Sequence, residues 1–137
     1  MFEIQDLNHV NIVVKNIGKA KKFYCEILGM EDAPRHPDFT LTGAWLRKNS
    51  AEIHLIQANA ATHAPGDLSF EVANITDKEL SSSRHFSLVI DNTESLVAQL
   101  KKHSVPIVYG PVERPGGLVQ TYCYDVDEHL IEFTQLP

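Results

Sequence analysis

The chain is poor in cysteine, tryptophan and basic residues. Its 137 residues hold two cysteines, Cys25 and Cys123. That is too few for a disulfide framework and points to free, buried thiols in a cytoplasmic protein. Twelve Lys and Arg stand against eighteen Asp and Glu, a net charge of -6. A face that neutralises phosphates needs the opposite balance, so nucleic acid is not the expected partner. No stretch approaches the roughly 18 apolar residues of a membrane span, and the opening residues hold no signal-peptide core. Gly and Pro number only seven each, and hydrophobic residues make up 43%, which argues against a disordered chain. What is present suits one compact domain, or two half-size modules sharing a core. The seven histidines are a mild excess, and their positions matter.

Residues 8–14 alternate and are β-rich, the pattern of a strand. Asn16 has the character of an N-cap for a helix over 17–28. Within it Ile17, Ala20, Tyr24, Ile27 and Leu28 recur at helical spacing, and Gly29 stands where a left-handed terminus is wanted. Residues 34–37 are a connection or a weak edge strand. Two more strands are expected over 41–47 and 52–57, joined by the polar turn at 48–50. Residues 59–83 form a linker, with room for a short strand at 68–72. Beyond it the first pattern returns. A strand covers 85–90, a helix 93–103, and strands 118–124 and 129–134 flank an acidic turn at 125–128.

This is an internal repeat. His9-Val-Asn-Ile-Val-Val14 matches His85-Phe-Ser-Leu-Val-Ile90, and Ile53-His-Leu-Ile-Gln57 matches Ile131-Glu-Phe-Thr-Gln135. Each half reads β-α-β-β-β, with a weak second strand in both. The expected fold is α+β: two paired βαβββ modules, one over about 5–58 and one over about 84–137, within a single domain.

The repeat also correlates polar residues. His9, His54, His85 and Glu132 stand at equivalent places in the first and last strands of each half. Alternation puts Leu7, His9, Asn11 and Val13 on one face and Val10, Ile12 and Val14 on the other. The same rule groups Glu52, His54 and Ile56, and likewise Leu130, Glu132 and Thr134. The opposite faces are large and apolar and need helices packed on them. A carboxylate in the setting Leu-Ile-Glu-Phe requires a metal, an Arg or solvent, because burying an unpaired charge is costly. Three imidazoles and one carboxylate suit Zn, Ni, Fe or Mn, with positions left for water or a chelating substrate. His36, His63, His103 and His129 fall in loops or at element ends and read as solvated. Trp45, Tyr122, Tyr124 and Arg114 are candidates for a substrate pocket, while Cys123 reads as packing. The stretch Arg114-Pro-Gly-Gly117 is either a lid or a plain hairpin turn.

At these residues the sequence resembles the vicinal oxygen chelate superfamily, which includes glyoxalase I, extradiol dioxygenases, methylmalonyl-CoA epimerase, fosfomycin thiol transferases and bleomycin-resistance proteins. The segments that carry the resemblance are Leu7-Asn-His-Val, Phe23-Tyr-Cys-Glu-Ile-Leu-Gly29, Gly43-Ala-Trp-Leu46, Glu52-Ile-His-Leu-Ile56, Arg84-His-Phe and Asp125-Val-Asp-Glu-His-Leu-Ile-Glu-Phe133. They span nearly the whole chain. The resemblance implies an open half-barrel with a metal at its centre, and it puts His9, His54, His85 and Glu132 at the four ligand positions. His54 stands where the bacterial glyoxalases have Glu and the epimerases Gln, a change of one charge against the former.

The function the resemblance implies first is that of a glyoxalase-I-type lyase or isomerase. A small chelating substrate, such as a thiol conjugate, would bind the metal, and Glu132 would shuttle the proton. A non-haem iron dioxygenase, a fosfomycin-type thiol transferase and a drug-sequestering binder are the alternatives. A homodimer is expected from the apolar surface that such half-barrels leave uncovered.

Overall fold

The alternation that opens the chain becomes β1 (Val10–Val14), with Val10, Ile12 and Val14 turned inward and Asn11 outward. The computed structural model describes residues 1, 3–38, 40, 42–58 and 85–137; the linker at 59–83 and the short strand expected at 68–72 lie outside them. The chain divides into two units, Met1–Thr62 and His63–Pro137.

In the first unit, α1 (Ile17–Lys21) follows β1. Asn16 caps it as expected, its Oδ1 accepting from Lys19 N at 2.9 Å. The helix continues as a π-helical turn over Lys22–Ile27, which the spacing of apolar residues does not distinguish from α-helix. It closes with Met30 N donating to Tyr24 O and with Gly29 at φ +75°. Strands β2 (Glu31–Ala33), β3 (Gly43–Lys48) and β4 (Ala51–Gln57) complete a four-stranded sheet in the order β1-β4-β3-β2. β1 runs parallel to β4, and the other pairs are antiparallel. The helix lies against β3 and β4. Its buried Ala20, Phe23 and Tyr24 share this unit's core with Val14, Leu46, Ile53 and Leu55. These are the apolar faces that alternation assigned to a helix.

The second unit repeats the plan. β5 (Phe86–Ile90) is parallel to β8 (Leu130–Gln135), which pairs antiparallel with β7 (Leu118–Tyr124), which pairs antiparallel with β6 (Ile107–Arg114). α2 (Thr93–Lys102) follows β5, and Asn92 caps it through Ser95 N at 2.8 Å. A second device also recurs. The last strand of each unit ends in a Gln whose Oε1 receives the first helical N–H: Gln57 from Ile17 at 3.1 Å and Gln135 from Thr93 at 2.7 Å. Each Gln thereby ties its sheet to a helix N-terminus, whose first N–H groups have no partner within the helix.

One expectation about the strands needs correction. The second strand is short in the first unit, at three residues, but β6 has eight. Gly110 and Pro111 mark a break in its sequence. The strand absorbs them as register shifts between Ile107, Tyr109 and Val112. Arg114-Pro-Gly-Gly117 is a tight hairpin. Arg114 pairs with Leu118, Gly117 N donates to Arg114 O at 3.1 Å, and Gly116 and Gly117 take φ of +88° and +80°. A three-residue loop closed in this way is a turn, not a lid.

Candidate metal centre

The candidate ligands come as two pairs, one in each unit. In the first unit His9 directly precedes β1, and His54 sits in the middle of β4 opposite Asn11. The two rings stack with centroids 3.8 Å apart and planes 17° apart. Trp45, the cross-strand neighbour of His54 on β3, stacks on the same ring at 4.3 Å and 3°. Two near-parallel partners at such distances must occupy opposite faces of the His54 ring, which is 8% exposed. His9 Nδ1 lies 2.7 Å from Asn8 Oδ1. His54 Nε2 lies 2.8 Å from Glu52 Oε1, and Arg47 contacts the other oxygen of Glu52 through Nε and Nη2, both at 3.0 Å.

In the second unit His85 precedes β5 as His9 precedes β1, and Glu132 stands in the middle of β8 opposite Ser87. His85 Nε2 is 3.0 Å from Glu132 Oε2. The other carboxylate oxygen, Oε1, accepts from Gln120 Nε2 at 2.9 Å, from Ser87 Oγ at 3.2 Å and from Thr134 Oγ1. Oε2 also accepts from the Tyr122 hydroxyl at 2.7 Å. Burial alone would raise the Glu132 pKa. The hydrogen bonds from Thr134, Tyr122 and Ser87, with the adjacent His85, outweigh it and hold the carboxyl below its ordinary value. So this buried carboxylate, 6% exposed, is ionised and fixed by four neutral donors.

Imidazole and carboxylate are the donor types that divalent transition ions take, and His9, His54, His85 and Glu132 would be the residues to hold one. Glu132 Oε1 is taken up by its three donors, and Oε2 meets Tyr122 and His85. Among the described residues no group of three or more His, Cys, Asp or Glu converges; the donors are paired.

Tyr122, a candidate for the substrate pocket, is fully buried. Burial, then the bond to Glu132, drives its phenol pKa up, so it is a donor throughout the physiological range. Tyr124 is half-buried and packs beside it. Arg114 donates through Nε to Gln120 Oε1 at 2.9 Å and stands 5.8 Å from the centre of the Tyr109 ring; it buttresses the Glu132 clamp through Gln120. His129 is a correction. It is buried, not solvated, with Nδ1 2.8 Å from Asp125 Oδ2. Cys123 is buried, and burial pushes its thiol up to about 12, so it is packing as expected. His36 and His103 are exposed, and His63 lies outside the described residues.

The βαβββ plan occurs twice, with polar pairs at equivalent places, and a family model matches residues 6–133, which span both copies. The chain belongs to the Glyoxalase/Bleomycin resistance protein/Dioxygenase superfamily. Among relatives of this superfamily, the Arabidopsis thaliana protein named Glyoxylase I 4 is 25% identical over 130 residues, covering 94% of this chain and 70% of its own. A Bacillus anthracis protein provisionally placed in the glyoxalase family has the same fold. Its TM-score is 0.76 at 20% identity, with 100% of this chain and 99% of that one covered. The fold also recurs in a genomically encoded fosfomycin resistance protein of Listeria monocytogenes, at a TM-score of 0.69 and 16% identity, covering 96% of this chain and 91% of that one. The superfamily's βαβββ unit is the unit seen twice here.

Proposed function

We propose that the protein is a metal-dependent enzyme of the glyoxalase I type, a lyase or isomerase that moves a proton on a small substrate with vicinal oxygens. Its donors are His9, His54, His85 and Glu132, and its ion is Zn, Ni, Fe or Mn. The observation that carries this reading is the buried Glu132 carboxylate with His85 at 3.0 Å. A superfamily relative bearing a glyoxylase I name supports it. When bound, the ion supplies Lewis-acid polarisation that acidifies a C–H next to the chelating oxygens. The chain supplies the base. Glu132 stays ionised because its neighbours stabilise the charge, and it is the base we assign. Trp45, Tyr124 and Arg114 are the side chains we assign to the substrate pocket, with Tyr122 serving the carboxylate.

The clamp on Glu132 favours a second reading. A carboxylate tied by Ser87, Gln120, Tyr122 and Thr134 is well suited to remain a ligand. Such a site suits addition of a thiol to a small electrophile, which needs no carboxylate base, and the Listeria neighbour is a fosfomycin resistance protein. One experiment separates the two. Metal-loaded protein is assayed on a hemithioacetal of glutathione and methylglyoxal, and on fosfomycin with glutathione. Isomerisation of the first supports the glyoxalase reading; conjugation of the second without the first replaces it.

We also propose a homodimer working in the cytoplasm. Leu7 and Val89 are 75% and 67% exposed, apolar surface that two-fold pairing would cover, and both cysteines are free. Sedimentation at micromolar concentration should show twice the chain mass; a single-chain mass throughout would contradict pairing.

A further inference from the structure

Arg47 and Arg114 use their guanidinium groups differently. Arg47 spends Nε and Nη2 on the Glu52 carboxylate, both at 3.0 Å, so its fork is taken up within the chain. Arg114 donates through Nε alone, to the neutral Oε1 of Gln120 at 2.9 Å. Among the described residues its Nη1 and Nη2 have no hydrogen-bond or ion-pair partner. Yet the group is not loose. Arg114 is half-buried, opens the tight hairpin opposite Leu118, and lies over the Tyr109 ring, 5.8 Å from its centre. The Nε bond and the ring together fix the plane of the guanidinium. The rotamer freedom that a partner would otherwise have to freeze is already given up.

The second unit is rich in acids, but none of them pairs with Arg114. Glu113 precedes it in β6 and so faces the other way. Glu132 is reached only through Gln120, whose Oε1 takes Arg114 and whose Nε2 takes Glu132 at 2.9 Å. A neutral amide thus stands between cation and anion and leaves the outer edge of the guanidinium open.

We infer that Arg114 is a specificity-determining residue whose open Nη1–Nη2 edge binds the carboxylate of a small anionic substrate. The inference deepens the pocket assigned above and rests on that pocket, without drawing on a metal. A carboxylate presents two oxygens in one plane, the counterpart of the flat fork, and forms two charge-assisted bonds at once. A phosphonate leaves a third oxygen for which this edge has no donor.

The test uses the metal-free full chain, uniformly labelled with ¹⁵N, at fixed ionic strength and at pH 6, where lactate and methylphosphonate both carry mainly a single charge. Side-chain ¹H–¹⁵N spectra follow Arg114 Nε–H and the Gln120 amide during titration with lactate, with methylphosphonate and with lactamide, the neutral counterpart of lactate. Lactate should shift both signals saturably, and lactamide should not. Arg114→Lys keeps the charge without the fork. Read at the Gln120 amide, it should lose at least about 10-fold in lactate affinity, the scale of one charge-assisted hydrogen bond. Tyr109→Leu keeps the fork without the ring beneath it and should lose about 2- to 5-fold. No saturable shift, an equal response to lactamide, or an Arg114→Lys protein that binds lactate as well as its parent would overturn the inference. Tighter binding of methylphosphonate than of lactate would overturn the assignment to a carboxylate. All of these are read without turnover, so they are distinct from failure of the glyoxalase reading, which the hemithioacetal assay decides.

Discussion

The two units share a skeleton and differ in what they place on it. Asn16 and Asn92 cap equivalent helices, and Gln57 and Gln135 join equivalent strands to equivalent helix starts. Yet the mid-strand polar residue of the first unit is an imidazole held by stacking and one charged partner, and that of the second is a carboxylate held by four neutral donors. The cross-strand neighbour differs to match. Trp45 offers His54 a ring face, while Tyr122 offers Glu132 a hydroxyl. The comparison teaches that the repeated backbone sets where a buried polar residue stands. The side chains one strand away set what it rests against, a ring face or a hydroxyl.

The largest expected effect breaks the comparison at Glu132. Glu132→Gln keeps size and one oxygen that can bind metal but removes the base. Under the glyoxalase reading it should retain metal and lose at least about 100-fold in turnover, the scale of a general base. Near-parental turnover with full metal content would make Glu132 a ligand only and favour the thiol-transfer reading. Next come the cross-strand neighbours, measured by urea unfolding of metal-free protein. Tyr122→Phe removes a donor from a buried carboxylate and should cost about 2 kcal/mol. Trp45→Leu loses a ring stack and should cost about 1 kcal/mol beyond the lost packing area. A Tyr122→Phe protein as stable as the parent would show the clamp to be incidental.

Much of the skeleton was legible in the sequence because it is local. Alternation gave the strand faces, Asn16 announced its cap, and the repeat at nearly one spacing correlated His9 with His85 and His54 with Glu132. The rest depended on what covers each face, which alternation does not report. Tyr122 has the right period for a pocket wall, but its burial follows from the packing of Tyr109, Tyr124 and Leu130 around it. His129 sits in an acidic turn that reads as solvated. It is buried because Asp125 folds back to accept from Asp127 N, His129 N and the His129 ring. The Arg47–Glu52–His54 chain was hidden for a different reason. Its signal is a cross-strand register, and two residues of slip in the hairpin would have separated Arg47 from Glu52.

Smaller effects test the shared skeleton. Gln57→Ala and Gln135→Ala should each cost about 1 kcal/mol, since each removes one capping acceptor. Markedly unequal losses would mean that the two devices are not equivalent. The smallest effect concerns the thiols. Burial raises both, Cys123 to about 12. At pH 8 a disulfide reagent should leave Cys123 of folded protein unmodified, with two thiols titrating after denaturation. Rapid modification of Cys123 in the folded state would contradict its burial.

The central proposal is that His9, His54, His85 and Glu132 serve a divalent ion, and elemental analysis tests it most directly. Protein purified without chelators and reconstituted with Zn, Ni, Fe or Mn should hold one divalent ion per chain, and His85→Ala should hold far less. Substoichiometric metal after reconstitution, or a His85→Ala protein that binds as well as its parent, would contradict the account.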